Sequence, residues 1–223
     1  MKHIKLVYEN EYAMVFVKPA GLPVQGGERV GISLDSILAG EFKNRPFLVH
    51  RLDKDTSGLI LTAKTRDAAA AFSSLFAGGQ KKAGTEKAGI AKQYLAVCAG
   101  SPEPPEGVIR AGLDIRGRRR EARTSYRLLE TRGEFSLLEL ELETGRMHQI
   151  RRHLLHIGHP VLGDDKYGDF SLNRTLRRER GLKKLLLHAS RLAVPPFPPF
   201  FPQGLDLRAP LPEYFAPYVS PSP

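Results

Sequence analysis

The chain has little cysteine and no long apolar run. Cys98 is the single cysteine among 223 residues, which excludes a disulfide framework and any zinc or iron–sulfur site built from several cysteines. No apolar run approaches the roughly 20 residues that a membrane-spanning helix needs. The first ten residues also lack the apolar stretch and cleavage site of a signal peptide. We therefore expect a cytoplasmic protein without a membrane partner.

Several catalytic motifs are missing as well. The sequence contains no Walker phosphate loop, no G-x-G-x-x-G dinucleotide fingerprint and no G-x-S-x-G nucleophile elbow. Its one candidate metal cluster is a group of histidines followed by two aspartates: His148, His153, His156, His159, Asp164 and Asp165. No two of these histidines have the i, i+4 spacing that zinc-binding helices commonly use. This spacing argues against a metal site, and a metal hydrolase stays as an alternative.

What the chain does have is positive charge. Lys and Arg number 34 against 24 Asp and Glu, which gives a net charge of +10 and an isoelectric point near 9.8. This excess favours a polyanionic partner, although a generally basic protein without such a partner would show the same composition. Two basic clusters are candidates for phosphate contacts: Arg116, Arg118, Arg119, Arg120 and Arg123, then Arg174, Arg177, Arg178, Arg180, Lys183 and Lys184.

The hydrophobic pattern predicts an α+β fold with mainly antiparallel strands. Strands are predicted at 6–8, 14–18, 47–52, 59–63, 93–99 and 185–194, and 124–129 should form a hairpin with the alternating residues 138–142. Ser33 and Thr65 are candidate N-caps of two helices. A third helix should carry Met147, Ile150, Leu154 and Ile157 on one face and end at Gly158. We expect one domain over 1–223, with a mobile basic loop at 78–92 and a Pro-rich segment at 195–223 that is extended over 195–202.

A carboxylate stands where a buried strand is predicted to end. Asp53 follows the apolar run 47–52 and precedes a polar loop. Such a loop can present a carboxylate to a cleft for nucleophilic or acid–base chemistry. Aspartate at this position also often accepts hydrogen bonds from turn amides, here those of Thr56 or Ser57. The residues alone leave both interpretations open.

This segment, His50-Arg-Leu-Asp-Lys-Asp-Thr-Ser-Gly58, resembles the active-site motif of the RluA family of RNA pseudouridine synthases. Further family motifs follow in order along the chain: Lys18-Pro-Ala-Gly21, Lys92-Gln-Tyr-Leu-Ala-Val97, Thr144-Gly-Arg-Met-His-Gln-Ile-Arg-Arg-His153, Gly158-His-Pro160, Gly163-Asp164, Tyr167-Gly168 and Leu186-Leu-His-Ala189. The small N-terminal RNA-binding domain of several large-subunit rRNA members is not among them. The resemblance implies the pseudouridine synthase catalytic fold, a mixed sheet flanked by helices around a central active-site cleft.

The resemblance also implies a reaction and its residues. Uridine in RNA would be isomerised to pseudouridine without metal or cofactor, with Asp53 as the catalytic aspartate, either as nucleophile at C1′ or as base. Arg151 would pair with Asp53, and its place beside an apolar helix face predicts partial burial, which needs an internal carboxylate. Tyr94 would stack on the uracil of the flipped nucleotide.

The remaining motif residues are expected to bind RNA. Arg51 would fill the gap that the flipped nucleotide leaves, Leu187 would form an apolar wall near the base, and Arg152 would contact phosphate. His50, Thr56, Arg146 and His148 complete this predicted RNA-binding set. We expect a monomer acting on structured RNA, with 23S rRNA as the substrate. A tRNA substrate, and a non-catalytic RNA-binding or ribosome-assembly protein, are the alternatives.

Overall fold

The computed structural model describes residues 4–27, 31–77, 89–115 and 117–220. Within these ranges the strands are β1 (Lys5–Glu9), β2 (Ala13–Lys18), β3 (Phe47–Leu48), β4 (Ser57–Ala63), β5 (Ala91–Ala99), β6 (Glu106–Arg110), β7 (Leu113–Ile115), β8 (Arg118–Arg120), β9 (Arg123–Arg132), β10 (Phe135–Leu142), β11 (Leu187–Val194) and β12 (Leu205–Arg208). The helices are α1 (Leu34–Glu41), α2 (Arg66–Phe76), α3 (Gln149–His156), α4 (Phe170–Arg180) and a 3-10 helix (Glu213–Tyr218).

Contacts divide the chain into two compact units. The first comprises Met1–Lys92 and Ala189–Ala209, and the second comprises Gln93–His188 and Pro210–Pro223. The single catalytic domain over 1–223 stays a prediction. No helix within the described ranges is long and apolar enough to cross a membrane.

The first unit is built on antiparallel strands covered by α2. Strand β2 pairs with β1 and β4, β3 pairs with the end of β4, and β12 pairs with β11, which neighbours β4. Every residue of β4 is buried, as expected for a continuous apolar strand covered on both faces. Its core includes Val15, Leu59, Leu61, Phe72, Leu192 and Phe201.

The predicted caps of the two N-terminal helices are confirmed. The Ser33 hydroxyl accepts a hydrogen bond from the Ser36 amide at 3.2 Å, and the Thr65 hydroxyl accepts one from the Ala68 amide at 3.2 Å. These bonds satisfy amides that have no partner within their own helix. Helix α2 then buries Ala68 and Phe72 at i, i+4 spacing against the core.

The second unit is also mainly antiparallel, with the strand order β5–β10–β9–β6. The predicted hairpin is confirmed as β9–β10, in which Leu138 and Leu140 are buried while Glu141 is exposed. Its core includes Val97, Phe135, Leu162, Leu186 and Phe215. The α+β class and the predominance of antiparallel pairing are therefore confirmed.

Helix α3 begins later than the apolar pattern predicted. Met147 was expected on the buried face but is 50% exposed. His148 has a φ of 53°, a left-handed conformation that cannot belong to an α-helix, so the helix starts at Gln149. Helix α4 was missed because its residues are mostly polar, although Asp169 caps its start and Gly181 its end.

Two further predictions needed correction. The strand predicted at 47–52 is only two residues long in β3, since pairing with β4 involves Phe47 and Leu48 alone. The segment 195–202 is not extended: Phe197 and Phe201 exchange two backbone hydrogen bonds of 2.7 and 2.8 Å across a turn. This turn lets Phe201 pack against Phe72, with ring centroids 5.2 Å apart. Most of the loop predicted as mobile lies outside the described residues, and its end, from Ala91, belongs to β5.

Candidate active site

The Asp53 loop leaves β3 and returns into β4. Asp53 is half-buried, and its backbone carbonyl accepts a 3.2 Å hydrogen bond from the Thr56 amide, which closes a turn. The Lys54 carbonyl accepts a 3.0 Å hydrogen bond from the Gly21 amide. The loop is therefore fixed at both of these carbonyls, so the backbone around the carboxylate of Asp53 is held in one conformation.

Lys18 supplies a further anchor that the sequence analysis did not identify. Its side chain is buried, and Nζ donates to the carbonyls of Pro19 (3.1 Å), Leu22 (2.8 Å) and Lys54 (2.9 Å). Burial lowers the pKa of Lys18 to about 8, against the opposing effect of the Asp55 and Asp53 carboxylates. The only signal in the sequence was its place in the Lys18–Gly21 motif.

The structure explains why the His50–Gly58 motif ends in glycine. Its φ is +116°, and a Cβ at this position would clash with the backbone carbonyl of Ala189 in β11. Glycine is therefore required both for the backbone conformation and for the close approach of β4 to β11.

A hydrogen bond and a ring contact within the first unit hold the His50 side chain in place. Its Nε2 accepts a 2.9 Å hydrogen bond from the Leu61 amide, and its ring stacks on Phe76 with centroids 4.0 Å apart. Burial, together with the positive charge of Lys92, lowers the pKa of His50 to about 3. The imidazole is therefore neutral near pH 7 and offers no positive charge to phosphate. Its contact with RNA stays a prediction.

The other predicted residues of this loop differ in exposure. Arg51 is exposed, whereas Thr56 is buried. Arg51 is thus accessible to RNA from its position in the loop. The Thr56 side chain is buried, so its burial does not support an RNA contact, and that contact stays a prediction.

Arg151 forms a buried ion pair within the second unit. Its Nε and Nη2 donate to the two carboxylate oxygens of Asp164, each at 2.6 Å, and the side chains are only 4% and 1% exposed. The predicted burial of Arg151 with an internal carboxylate is confirmed, and Asp164 is such a partner. Asp165 lies 3.7 Å away on the surface, and the guanidinium stands 5.2 Å from the ring centre of Tyr167. Pairing of Arg151 with Asp53 stays a prediction.

Asp164 is held in the ionised form. Burial by itself would raise its pKa, but the hydrogen bonds from Arg151 and from the amides of Tyr167 and Lys166 outweigh this and hold the pKa below its usual value. In the sequence, Asp164 stands out as a possible metal ligand and as part of the Gly163-Asp164 motif. The structure instead makes it the group that fixes the plane of the Arg151 guanidinium.

Gln149 organises the turn that precedes α3. Its Oε1 accepts from the Thr144 hydroxyl (2.7 Å) and the Arg146 amide (3.0 Å). Its Nε2 donates to the Arg123 carbonyl (2.8 Å) and the Thr124 hydroxyl (3.0 Å). Gln149 was not singled out from the sequence, because a buried glutamine cannot be told from an exposed one without knowing which face it occupies.

The predicted RNA-binding residues of this turn and helix remain partly accessible. Arg146 is exposed and Arg152 and His148 are half-buried. His148 shares a 3.1 Å hydrogen bond with the Tyr167 hydroxyl, and Arg152 donates to the Asp114 carbonyl at 3.0 Å. The structure therefore places these three around the start of α3.

Two further histidines that were candidate metal ligands have other hydrogen-bond partners. His153 is buried between the Thr124 hydroxyl (2.9 Å) and the Ala111 carbonyl (3.1 Å), and His159 contacts the Ala99 carbonyl at 2.9 Å. Both ring nitrogens of His153 are thus used in hydrogen bonds. Within the described part of the chain, no three His, Cys, Asp or Glu side chains are grouped so as to hold a metal ion.

Tyr94 and Leu187 lie on strands of the second unit. Tyr94, on β5, is buried and stands opposite Leu140 of β10 in the strand register. Leu187, the first residue of β11, is also buried. The predicted site residues thus form two sets: His50, Arg51, Asp53 and Thr56 in the first unit, and Tyr94, Arg146, His148, Arg151, Arg152 and Leu187 in the second.

Both basic clusters are exposed where they are described. Arg118, Arg119 and Arg120 form strand β8, and Arg116 lies outside the described residues. The second cluster follows the exposed side of α4 and continues to Lys183 and Lys184.

Comparison with known proteins identifies the family of the chain. Residues 12–156 match the RNA pseudouridylate synthase family. The chain is 40% identical over 198 residues to an uncharacterized RNA pseudouridine synthase of Chloroflexus aurantiacus, covering 79% of this chain and 57% of that protein. It is 35% identical to ribosomal large subunit pseudouridine synthase C of Rickettsia felis, covering 94% of this chain and 68% of the relative.

A solved structure agrees over nearly the whole chain. Human RNA pseudouridylate synthase domain containing 4 superposes with a TM-score of 0.75 at 26% identity, covering 95% of this chain and 90% of the human one. The pseudouridine synthase fold implied by the sequence motifs is therefore confirmed. The match over residues 12–156, which contains Asp53, Tyr94 and Arg151, shows that the chain belongs to the RNA pseudouridylate synthase family.

Proposed function

We propose that the protein is an RNA pseudouridine synthase, an isomerase that converts uridine to pseudouridine in large-subunit ribosomal RNA. The observation that carries this proposal is the half-buried Asp53 on a loop fixed by Lys18 and Gly21. A fixed backbone is what a carboxylate needs in order to meet a reacting carbon in one geometry. Family membership and the name of the Rickettsia relative support the choice of RNA substrate.

The reaction rearranges bonds without adding or removing atoms. The bond between N1 of uracil and C1′ of ribose breaks, the uracil turns, and a C5–C1′ bond forms. The proton on C5 then leaves and N1 regains one. A carboxylate at Asp53 can attack C1′ as a nucleophile or take a proton as a base, and both roles fit the site.

Base flipping is part of the proposal. Removing a base from its stack costs a few kcal/mol, and stacking on an aromatic ring returns about 1–3 kcal/mol per base. We assign this stacking to Tyr94, the neighbouring apolar wall to Leu187, and the gap left in the RNA to Arg51. Arg146, His148 and Arg152 are assigned to the backbone phosphates, with Arg146 the most exposed of the three.

Charge compensation in the site is assigned to Arg151. A guanidinium next to Asp53 would lower the pKa of that carboxyl and keep it ionised. The bidentate pair with Asp164 leaves the guanidinium little freedom to rotate and would present it to Asp53 in one orientation.

We further propose a monomer that acts in the cytoplasm, with 1–223 as one catalytic domain. Light scattering of the purified chain, alone and with RNA, tests whether it is a monomer. A dimer mass at micromolar concentration would contradict it.

Tritium release tests the activity and the substrate together. Ribosomal RNA and tRNA transcripts carrying tritium at uracil C5 are incubated with the purified protein, and tritium in water is counted. We expect release from large-subunit rRNA, with pseudouridine mapped at defined positions. Release from tRNA alone would show that tRNA, and not rRNA, is the substrate. No release from rRNA, tRNA or pre-ribosomal particles would refute the proposed activity.

A further inference from the structure

One tyrosine of the second unit contacts two residues that the proposed function uses. Tyr167 lies between Asp164 and the start of α4, and it is half-buried. Its hydroxyl shares a 3.1 Å hydrogen bond with Nδ1 of His148, and its ring centre lies 5.2 Å from the guanidinium carbon of Arg151. In the sequence, Tyr167 belongs to the Tyr167-Gly168 motif, which by itself assigns it no role.

The turn that carries Tyr167 is held by several hydrogen bonds. The Tyr167 amide donates to the Asp164 carboxylate at 2.8 Å. The buried side chain of Asn173 donates to the Asp164 carbonyl and accepts from the Gly163 amide, each at 2.9 Å. A Cβ on Gly168 would lie 2.2 Å from the Asp164 carbonyl oxygen, so glycine is required for this close approach. The Tyr167 ring is therefore carried by a fixed backbone.

The ring of Tyr167 meets the cation of Arg151. A guanidinium within about 6 Å of an aromatic ring centre is attracted by the ring quadrupole. The Asp164 carboxylate binds both the Arg151 guanidinium and the Tyr167 amide. One carboxylate thus sets the positions of the cation and of the ring against which it lies.

The hydroxyl of Tyr167 meets a residue with an unusual backbone. His148 has a φ of 53°, and a left-handed conformation is costly for a residue other than glycine, so its surroundings must hold it. Its carbonyl accepts a 3.0 Å hydrogen bond from the Arg152 amide. Its ring lies edge-on to Tyr167, with centroids 5.5 Å apart. The Tyr167 hydroxyl therefore helps to fix the imidazole at the turn before α3.

We propose that Tyr167 is a positioning residue that joins the RNA-contacting turn at His148 to the Arg151 guanidinium. Its hydroxyl orients the imidazole of His148 towards RNA, and its ring keeps the guanidinium in the position needed for the reaction. The RNA contact of His148 and the charge compensation by Arg151 rest on the proposed function. Loss of the hydroxyl should therefore affect RNA affinity, and loss of the ring should affect the reaction rate.

The first experiment measures the Kd of the protein for a large-subunit rRNA fragment. Tyr167→Phe keeps the ring and removes only the hydroxyl, and we expect Kd to rise about twofold to tenfold, as for the loss of one hydrogen bond. The matched control is Tyr126→Phe, which removes a hydroxyl that donates to the Pro104 carbonyl at 3.2 Å in the same unit. The control should bind as wild type does, and an equal effect of both variants would overturn the role of the Tyr167 hydroxyl.

A double-mutant cycle tests whether the hydroxyl acts through His148. His148→Asn provides a shorter side chain that tolerates left-handed backbone, and we expect it to raise Kd as well. Adding Tyr167→Phe to His148→Asn should then cause little further change, since the hydroxyl has lost the imidazole that it holds. Effects on Kd that multiply in the double variant would show that the two residues act independently, which would contradict the proposal.

The second experiment measures single-turnover tritium release at saturating protein, where differences in affinity no longer matter. Tyr167→Leu removes the aromatic face, and we expect its rate constant to fall about threefold or more, as for the loss of a cation–π contact. Tyr167→Phe should restore the wild-type rate constant while its Kd stays raised. If Tyr167→Leu does not fold, Tyr167→Met takes its place, because methionine fills irregular space. Equal rate constants for the Phe and Leu or Met variants would overturn the role of the ring.

NMR of the Arg151 Nε–H group separates this proposal from the proposed function. The signal should keep its position in Tyr167→Phe and move in Tyr167→Leu or Tyr167→Met, whether or not the protein is active. An unchanged signal in the variants without the aromatic ring would contradict the contact with Arg151. A wild type that binds rRNA without releasing tritium would refute the enzyme activity, while the Kd cycle and this signal would still decide the role of Tyr167. A wild type that does not bind rRNA would refute both.

Discussion

The buried ion pair between Arg151 and Asp164 allows a quantitative prediction for Asp164→Asn. Both side chains are almost fully buried, and Asp164 accepts two hydrogen bonds of 2.6 Å from Arg151 and two more from the amides of Lys166 and Tyr167. Asparagine keeps the shape and one acceptor oxygen but removes the carboxylate charge that meets both guanidinium hydrogen bonds of 2.6 Å. Asp165, at 3.7 Å, is 81% exposed and cannot replace Asp164.

Removing one partner of a buried ion pair costs about 3–5 kcal/mol. Native domains unfold with about 5–15 kcal/mol, so this substitution should remove a large share of the stability. At about 2–4 °C per kcal/mol for a chain of this length, Tm should fall by about 6–20 °C. Urea unfolding followed by circular dichroism measures the loss directly.

Asp206→Asn is the matched control. Arg191 donates to both oxygens of Asp206 at 2.8 and 2.6 Å, so the geometry is the same, but the side chains are 26% and 51% exposed. Exposed pairs contribute about 0–1 kcal/mol. If both variants lost the same small amount, burial would not be what makes the Arg151–Asp164 pair strong, and the reasoning would be refuted.

The same pair has a pH signature. The folded-state pKa of Asp164 is lowered, so its contribution to stability is present above the unfolded pKa of about 3.9 and is lost as the pH falls through the folded pKa. The difference between wild type and Asp164→Asn in unfolding free energy should therefore shrink in acid. A difference that is constant from pH 7 down to pH 2 would contradict this assignment.

Two further predictions concern the Asp53 loop. Gly58→Ala should lower the unfolding free energy more than Gly133→Ala. Both glycines have a positive φ, but only a Cβ on Gly58 would clash with the backbone. Similar losses of stability for the two variants in urea unfolding would contradict the close approach of β4 to β11. His50 has its pKa lowered to about 3, so its unfolded form takes up a proton first and stability should be lost as the pH falls from about 6.5 towards 3. His50→Asn should flatten this loss relative to wild type, whereas His156→Asn, a control at an exposed site, should leave it unchanged. Equal pH profiles for the two variants would disprove the lowered pKa of His50.

Much of the framework could be predicted from local patterns. The β9–β10 hairpin follows from the alternation around Leu138 and Leu140, and the helix starts follow from Ser33 and Thr65. These features depend on neighbours in sequence, so a periodicity or a cap is enough to identify them. The motif around Asp53 also came from the sequence, through its resemblance to a family.

The errors have two other causes, namely contacts between distant parts of the chain and a local backbone conformation that periodicity does not reveal. Phe197 and Phe201 form a turn because Phe201 packs on Phe72, which no local pattern reveals. Met147 was assigned to the core because the helix was expected to begin two residues early, before the left-handed His148.

The polar anchors of the site were missed because their partners are distant in the sequence. Lys18 is a buried lysine whose partners are backbone carbonyls, one of them 36 residues away in Lys54. Asp164 meets Arg151 across 13 residues. Side-chain type alone cannot show such partners, since lysine and aspartate are usually exposed.

The central claim is that Asp53 carries the chemistry of an RNA-modifying enzyme. The most direct measurement is single-turnover tritium release from C5-labelled rRNA by wild type, Asp53→Asn and Asp55→Asn. Asp55 lies in the same loop and is half-buried like Asp53, so its substitution controls for the loss of a charge there. We predict release by wild type and Asp55→Asn and none by Asp53→Asn, with RNA affinity retained in all three. Release by Asp53→Asn at the wild-type rate would contradict the account.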